Sequence, residues 1–131
     1  MREHDIQNKI RLEFGARTGG GVLFRANVGQ AWTGSRVVKN LDGSVTIYDA
    51  RPFNSGLPKG FSDLFGVLPG GRAAFLEVKA PGKKPTDDQI NFITQMQRMG
   101  AAAGVVRSIQ EALDVCEISK RGDRDYGHRE N

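Results

Sequence analysis

A single cysteine, Cys116, stands in a chain of 131 residues, which excludes a disulfide framework and a cysteine-rich zinc site. Its position in an apolar helical pattern marks it as a buried thiol in a reducing compartment. Histidine is nearly as scarce: His4 and His128 lie near the two ends, neither has a partner at ligand spacing, and neither is assigned a role. No run of about eighteen apolar residues occurs, and the opening Met-Arg-Glu-His-Asp is charged where a signal peptide needs an apolar stretch. Neither a membrane span nor a secretory leader is expected. The Gly19-Gly20-Gly21 run carries neither GxxxxGK[ST] nor a GxGxxG between strand and helix, so it reads as a flexible turn and not as a phosphate loop.

What is present is a soluble globular composition, 38% apolar and 26% charged, of a length suited to one domain with a real core. We expect a single domain over 1–118 and a charged, glycine-containing tail over 119–131. The net charge is only +4, but ten Lys and Arg against four acids lie between Arg17 and Lys84. Two of those four acids, Asp63 and Glu77, are the chemically interesting ones. A basic middle around an acidic pair suits a polyanion brought to a cation, although an ordinary solvated surface gives a similar count.

Spacing predicts a helix over 2–14, with Ile6, Ile10 and Phe14 on one stripe and Glu3 in the first turn. Glu3 is open to two readings: it faces the same site as Asp63, or it complements the helix dipole. A strand is expected over 22–28, a glycine-bounded loop over 29–34, and a hairpin of 36–39 and 45–48 about Leu41-Asp42-Gly43. The proline- and glycine-containing stretch 49–60 reads as a further loop. A helix from Thr86, with a Thr86/Gln89 capping box, closes at Gly100; a strand follows over 104–107, and Ser108/Glu111 caps a last short helix to Cys116. The strand-helix-strand passage from Glu77 to Val106 requires a parallel pair, so the fold class is α/β, a mixed sheet flanked by helices.

The chemistry gathers in Gly60–Lys79. Two short strands alternate so that Asp63, Phe65 and Val67 share a face, as do Phe75, Glu77 and Lys79. Joining them through Pro69-Gly70-Gly71 pairs residues whose numbers sum to 140, which sets Asp63 opposite Glu77. Like charges directly opposed are unfavourable in a sheet, and a divalent cation between them removes the conflict, since hard cations take carboxylate oxygens and phosphate. Lys79 then stands beside the cation with its ammonium available to phosphate or water.

An acid followed by Glu-X-Lys, here Asp63 and Glu77-Val78-Lys79, resembles the PD-(D/E)XK nuclease pattern. Taken with Glu3 and Ile6-Gln7, Leu23-Phe24-Arg25 with Asn27 and Gly29, Gly60 to Leu64, Gln89 with Phe92, and Gly100 leading to Val105-Val106-Arg107-Ser108, the chain resembles the VRR-NUC family, the virus-type replication-repair nucleases. Ser62 stands where the superfamily name has proline. The resemblance implies a restriction-endonuclease-like αβββαβ core and a DNA phosphodiesterase using Mg²⁺, with Mn²⁺ able to substitute. It implies Asp63, Glu77 and the Val78 backbone carbonyl as metal ligands, Lys79 as the residue acting on the attacking water, and Gln89 and Glu3 as further catalytic positions. Arg25, Arg51, Lys59, Lys83 and Lys84 are the candidate DNA contacts. A homodimer cutting branched DNA such as four-way (Holliday) junctions is expected, in the cytoplasm of a bacterial or phage-infected cell, with no organic cofactor and no membrane partner. The competing readings are a nicking or sequence-preferring duplex endonuclease and a DNA-binding module without catalysis. Trp32 is either an interface anchor or a core or base-stacking residue.

Overall fold

The computed structural model describes residues 1–26 and 30–116, which divide into two compact units, one built from the flanking segments and the other from 27–58. In the first unit, helix α1 (Glu3–Thr18) is followed by strand β1 (Val22–Arg25). After the intervening unit come β6 (Leu64–Val67), β7 (Ala73–Val78), helix α2 (Asp87–Arg98) and β8 (Ala102–Val106). A further helix, α3, runs over 109–116. The sheet order is β1-β6-β7-β8. The first two pairings are antiparallel and the last, β7 with β8, is parallel, which makes this the mixed α/β sheet expected from the crossover through α2.

Alternation along the strands divides the sheet into two faces. The even-numbered side chains Leu64, Leu68, Ala74, Leu76 and Val78 are buried with Ile6, Ile10 and Phe14 of α1 and with Ala112 and Cys116 of α3. Cys116 is thus the buried thiol that its spacing implied. The opposite face carries Asp63, Phe65, Phe75, Glu77 and Lys79, and α2 reaches it through Phe92, whose ring lies 5.5 Å from that of Phe75. Helices α1 and α3 therefore cover one face, and α2 covers part of the other beside the acids.

Helix α1 runs four residues beyond the expected end at Phe14. Thr18 continues the buried stripe, its hydroxyl donates to the Phe14 carbonyl at 2.6 Å, and Gly19 closes the helix at φ 78°. Strand β1 stops at Arg25 instead of 28, and the last two expected strand residues lie outside the described ones. Strand β8 opens two residues earlier than expected. Both capping boxes are prefigured in the sequence and differ in detail. Thr86 and Gln89 exchange both bonds, whereas Ser108 caps Glu111 while the Glu111 carboxylate accepts from Arg107 N–H.

Between β1 and β6 the backbones approach closely at Gly66, which faces Leu23 in the register. A methyl group built on Gly66 would overlap the Val22 carbonyl oxygen. Gly66→Ala is therefore expected to destabilise the protein by about 2 kcal/mol, read as a fall in the denaturation midpoint at unchanged m-value.

The second unit corrects two expectations. The stretch 29–34 is not a loop: Gln30–Thr33 forms β2, paired antiparallel with β5 (Arg51–Asn54), itself inside the stretch 49–60 read as a loop. Pro52 lies opposite Trp32 in this two-stranded ladder, and proline is tolerated there because its missing N–H has an outer edge to face. Nested between them is the expected hairpin, β3 (Arg36–Lys39) with β4 (Val45–Tyr48). Its turn is fixed by Asp42, which accepts from the Ser44 amide and hydroxyl, and by Gly43 at φ 89°. Among its described residues no side chain is buried, and Trp32 is 60% exposed.

Candidate active site

The β6–β7 hairpin has the register that its turn dictates. Leu64 pairs with Leu76 and Phe65 with Phe75, and Leu68 and Arg72 flank the three-residue loop, Leu68 N–H donating to the Arg72 carbonyl at 2.8 Å. Gly70 and Gly71 both take positive φ, 94° and 91°, which only glycine does without strain. One step beyond Leu64 and Leu76 the register brings Asp63 opposite Glu77.

Asp63 sits just before β6 and is tied to both neighbouring strands. Its carbonyl accepts from Ala26 N–H at 2.9 Å, and its Oδ2 accepts from Val78 N–H at 2.9 Å. Because the N–H and C=O of a strand residue point to the same edge, the Val78 carbonyl also faces the Asp63 side. Lys79 N–H turns the other way, to the Val106 carbonyl at 3.0 Å. Ser62, in the position of the superfamily's proline, is fully buried and donates its hydroxyl to the Leu64 carbonyl at 2.9 Å.

Glu77 is 1% exposed. Its Oε1 accepts from Gln89 Nε2 at 2.8 Å, while Gln89 Oε1 accepts from Thr86 N–H at 2.8 Å. The capping glutamine therefore has both ends of its amide engaged, one fixing the start of α2 and the other fixing Glu77. Glu77 Oε2 is buried and has no hydrogen-bond partner.

The electrostatics of the pair follow from this placement. Burial first, and then the negative charge of Asp63, push the Glu77 carboxyl up to about 8, with Lys79 opposing the rise. Asp63 is also raised, first by burial and in part by the charge of Glu3, against the Val78 N–H and Lys79. Glu3, in the first turn of α1, is near enough for its charge to raise Asp63 slightly.

A buried oxygen without a hydrogen-bond partner beside two carboxyls of raised pKa is an arrangement that a divalent cation would relieve. Among the described residues no group of three or more His, Cys, Asp and Glu could hold a metal ion; the donors that could serve are the two carboxylates and the Val78 backbone carbonyl. That set fits a hard cation that completes its shell with phosphate and water.

The basic candidates are placed unequally. Arg25 is exposed at the end of β1, opposite Leu64 and next to the Asp63 end of β6. Lys83 and Lys84 are exposed in the segment between β7 and α2, which Arg107 braces by donating to the Lys83 carbonyl at 2.8 Å. Lys59 is engaged with Asp88 at 3.6 Å, and Arg51 opens β5 in the second unit. Sequence reasoning missed Arg107 as a brace and an aromatic row beside the acids. In that row Phe24, Phe65 and Phe75 lie directly across three strands. The 140 sum foretells Phe65 opposite Phe75, but nothing local foretells Phe24.

A mixed sheet with antiparallel β1-β6-β7 and parallel β8, flanked by helices and carrying an acid and Glu-X-Lys on adjoining strands, is an α/β nuclease core. The VRR-NUC domain model matches residues 4–110, and the chain belongs to that family, a nuclease-type family for which DNA is the implied substrate. A solved structure described as a VRR_NUC domain is similar in fold, with TM-score 0.56 at 22% identity over 88% of this chain and 94% of that one. No curated protein matches. Among the described residues no helix is long and apolar enough to cross a membrane.

If the acidic pair takes up a cation, the metal should stabilise the fold more at high pH than at low, because protons and metal compete for the same oxygens. Millimolar Mn²⁺ is expected to raise Tm by several degrees at pH 8 and by little at pH 5, as read by differential scanning fluorimetry. Equal shifts at both pH values would place the metal elsewhere.

Proposed function

We propose that the chain is a divalent-metal-dependent DNA endonuclease that acts on branched DNA, four-way junctions included, as a homodimer. The observation that carries the reading is the buried Glu77 Oε2 without a hydrogen-bond partner, on a carboxyl raised by the charge of neighbouring Asp63. Asp63, Glu77 and the Val78 carbonyl would hold Mg²⁺ or Mn²⁺. When bound, the cation supplies charge neutralisation at the scissile phosphate and makes water easier to ionise.

The remaining steps belong to the side chains. Lys79, on the same face as Glu77, positions the attacking water and shares the negative charge that builds on the phosphoryl oxygens. Gln89 holds Glu77 in one rotamer through the hydrogen bond its side-chain amide donates, so the acid does not swing away when it loses its proton. Arg25, Lys83 and Lys84 draw the backbone towards the acidic pair. One such site cuts one strand, so symmetric resolution of a junction calls for two sites related by a twofold axis.

A panel of four-way, flap, duplex and single-stranded DNA, each with Mg²⁺ and with Mn²⁺, tests the proposal. Preferred cutting of the four-way substrate at paired positions is the expected result. Failure to cut any of the four would refute the nuclease reading, and cutting of duplex at fixed sequences would replace branch recognition by sequence preference.

A further inference from the structure

The face that carries the acids is organised in two rows across the strands. One row is Phe24, Phe65 and Phe75, aligned by register on β1, β6 and β7. The next, two residues along each strand, is Ala26, Asp63 and Glu77, with Ala26 N–H bonded to the Asp63 carbonyl. Phe61 and Phe92 cover the β6–β7 end of the aromatic row, with Phe61 4.8 Å from Phe92, 5.5 Å from Phe65 and 6.0 Å from Phe75. At the β1 end Phe24 is backed by Phe65 at 5.7 Å and stays 51% exposed.

A solitary exposed phenylalanine needs no explanation. Phe24 differs because it ends a row of packed rings and because the row lies alongside the acidic pair. From Asp63 it is one strand across and two residues along, a displacement of about 8 Å between backbones given about 4.8 Å between strands and about 3.4 Å per residue. That is the reach from a phosphate to a base of the same or the adjoining nucleotide. Ala26 is the residue opposite Asp63 in the acidic row, and its side chain is a single methyl group.

We propose that Phe24 is a stacking platform for an unpaired base next to the phosphate held at Asp63 and Glu77, and so selects nucleic acid with an unstacked base at the cleavage point. The proposal rests on the reading of the site as a nucleic-acid phosphodiesterase. A base stacked inside a continuous duplex has no free face to offer, whereas every unpaired base does, whatever its identity. Selection by Phe24 is therefore by structure and not by sequence. The flat ring supplies the contact, and Phe65 behind it fixes its tilt.

The test measures binding, with Ca²⁺ in place of the catalytic metal so that the DNA stays intact. A four-way junction is prepared with single abasic positions on either side of the branch point and titrated with wild type, Phe24→Leu and Phe24→Trp. For wild type, removal of one particular base is expected to weaken binding about tenfold, the size of one base-aromatic stack. Phe24→Leu, which keeps apolar packing on Phe65 but has no flat face, should already show that loss on intact DNA and be indifferent to the same abasic position. Phe24→Trp should restore it, and 2-aminopurine at that position should be quenched by wild type and by Phe24→Trp but not by Phe24→Leu.

A wild-type response to the abasic series in Phe24→Leu overturns the proposal. So does a change in oligomeric state in Phe24→Leu by sedimentation, since the ring would then be covered by a second copy of the chain. Binding with the expected abasic pattern but no cleavage with Mg²⁺ or Mn²⁺ would defeat the nuclease reading and leave the stacking role standing. Absence of binding to any junction would defeat both.

Discussion

Glu77→Gln is expected to abolish cleavage while making the metal-free protein more stable. The two effects have one origin. In the folded protein the Glu77 carboxyl is pushed up to about 8 from an ordinary value of 4.5, so the fold binds that proton more tightly than the unfolded chain does. The stability this confers is complete below pH 4.5 and is lost progressively as pH rises towards about 8. Glutamine carries no such liability. Its carbonyl can still accept from Gln89 Nε2, and its amide can donate towards Asp63. Its Tm at pH 8 without metal should exceed that of wild type by about 5 °C, and the gap should close at pH 4. The turnover loss should be about a thousandfold or more, the size associated with removing a principal electrostatic element of a site. A Glu77→Gln protein that still cuts DNA at a tenth of the wild-type rate would place the metal elsewhere.

Lys79→Ala carries the second large effect, and its signature is different. Lys79 shares the site's face, yet its backbone N–H is committed to Val106, so removing the side chain leaves the sheet intact. Loss of its ammonium should lower kcat by about 10²–10⁴, with DNA affinity in Ca²⁺ changed by less than about threefold, the effect of one phosphate contact among several. Without that positive charge both carboxyls rise further. The pH at which metal begins to stabilise the fold should therefore move upwards. A large loss of affinity with unchanged kcat would make Lys79 a phosphate anchor only.

The site was legible because its geometry is local. Pro69-Gly70-Gly71 sets the hairpin register, and the register sets Asp63 against Glu77; each step spans a few residues. Thr86 and Gln89 were legible as a cap for the same reason, and the amide left over from that cap reached Glu77. What escaped were pairings between distant segments. Glycines and Pro52 gave 29–34 and 49–60 the punctuation of loops, and only their mutual pairing makes strands of them. Phe24 could not be aligned with Phe65 because β1 and β6 are separated by all of residues 26–63. The apolar stripe Ile6, Ile10 and Phe14 gave the first helix an end at residue 14, and the buried polar Thr18 carries it one turn further.

That separation has a consequence for how the molecule comes into being. The β6–β7 hairpin closes through three residues and can form within microseconds, so the acidic pair is brought together early and from a single segment. Strand β1 can join β6 only after the chain over residues 26–63 has closed on itself, a slower and entropically dearer event. A nascent chain is thus expected to acquire its two opposed carboxylates before Ala26 beside them, and Gly66→Ala, which obstructs the β1 contact, should speed unfolding more than it slows folding. Shortening the inserted unit between β1 and β6 should do the reverse and speed folding, with the acids left where the hairpin puts them.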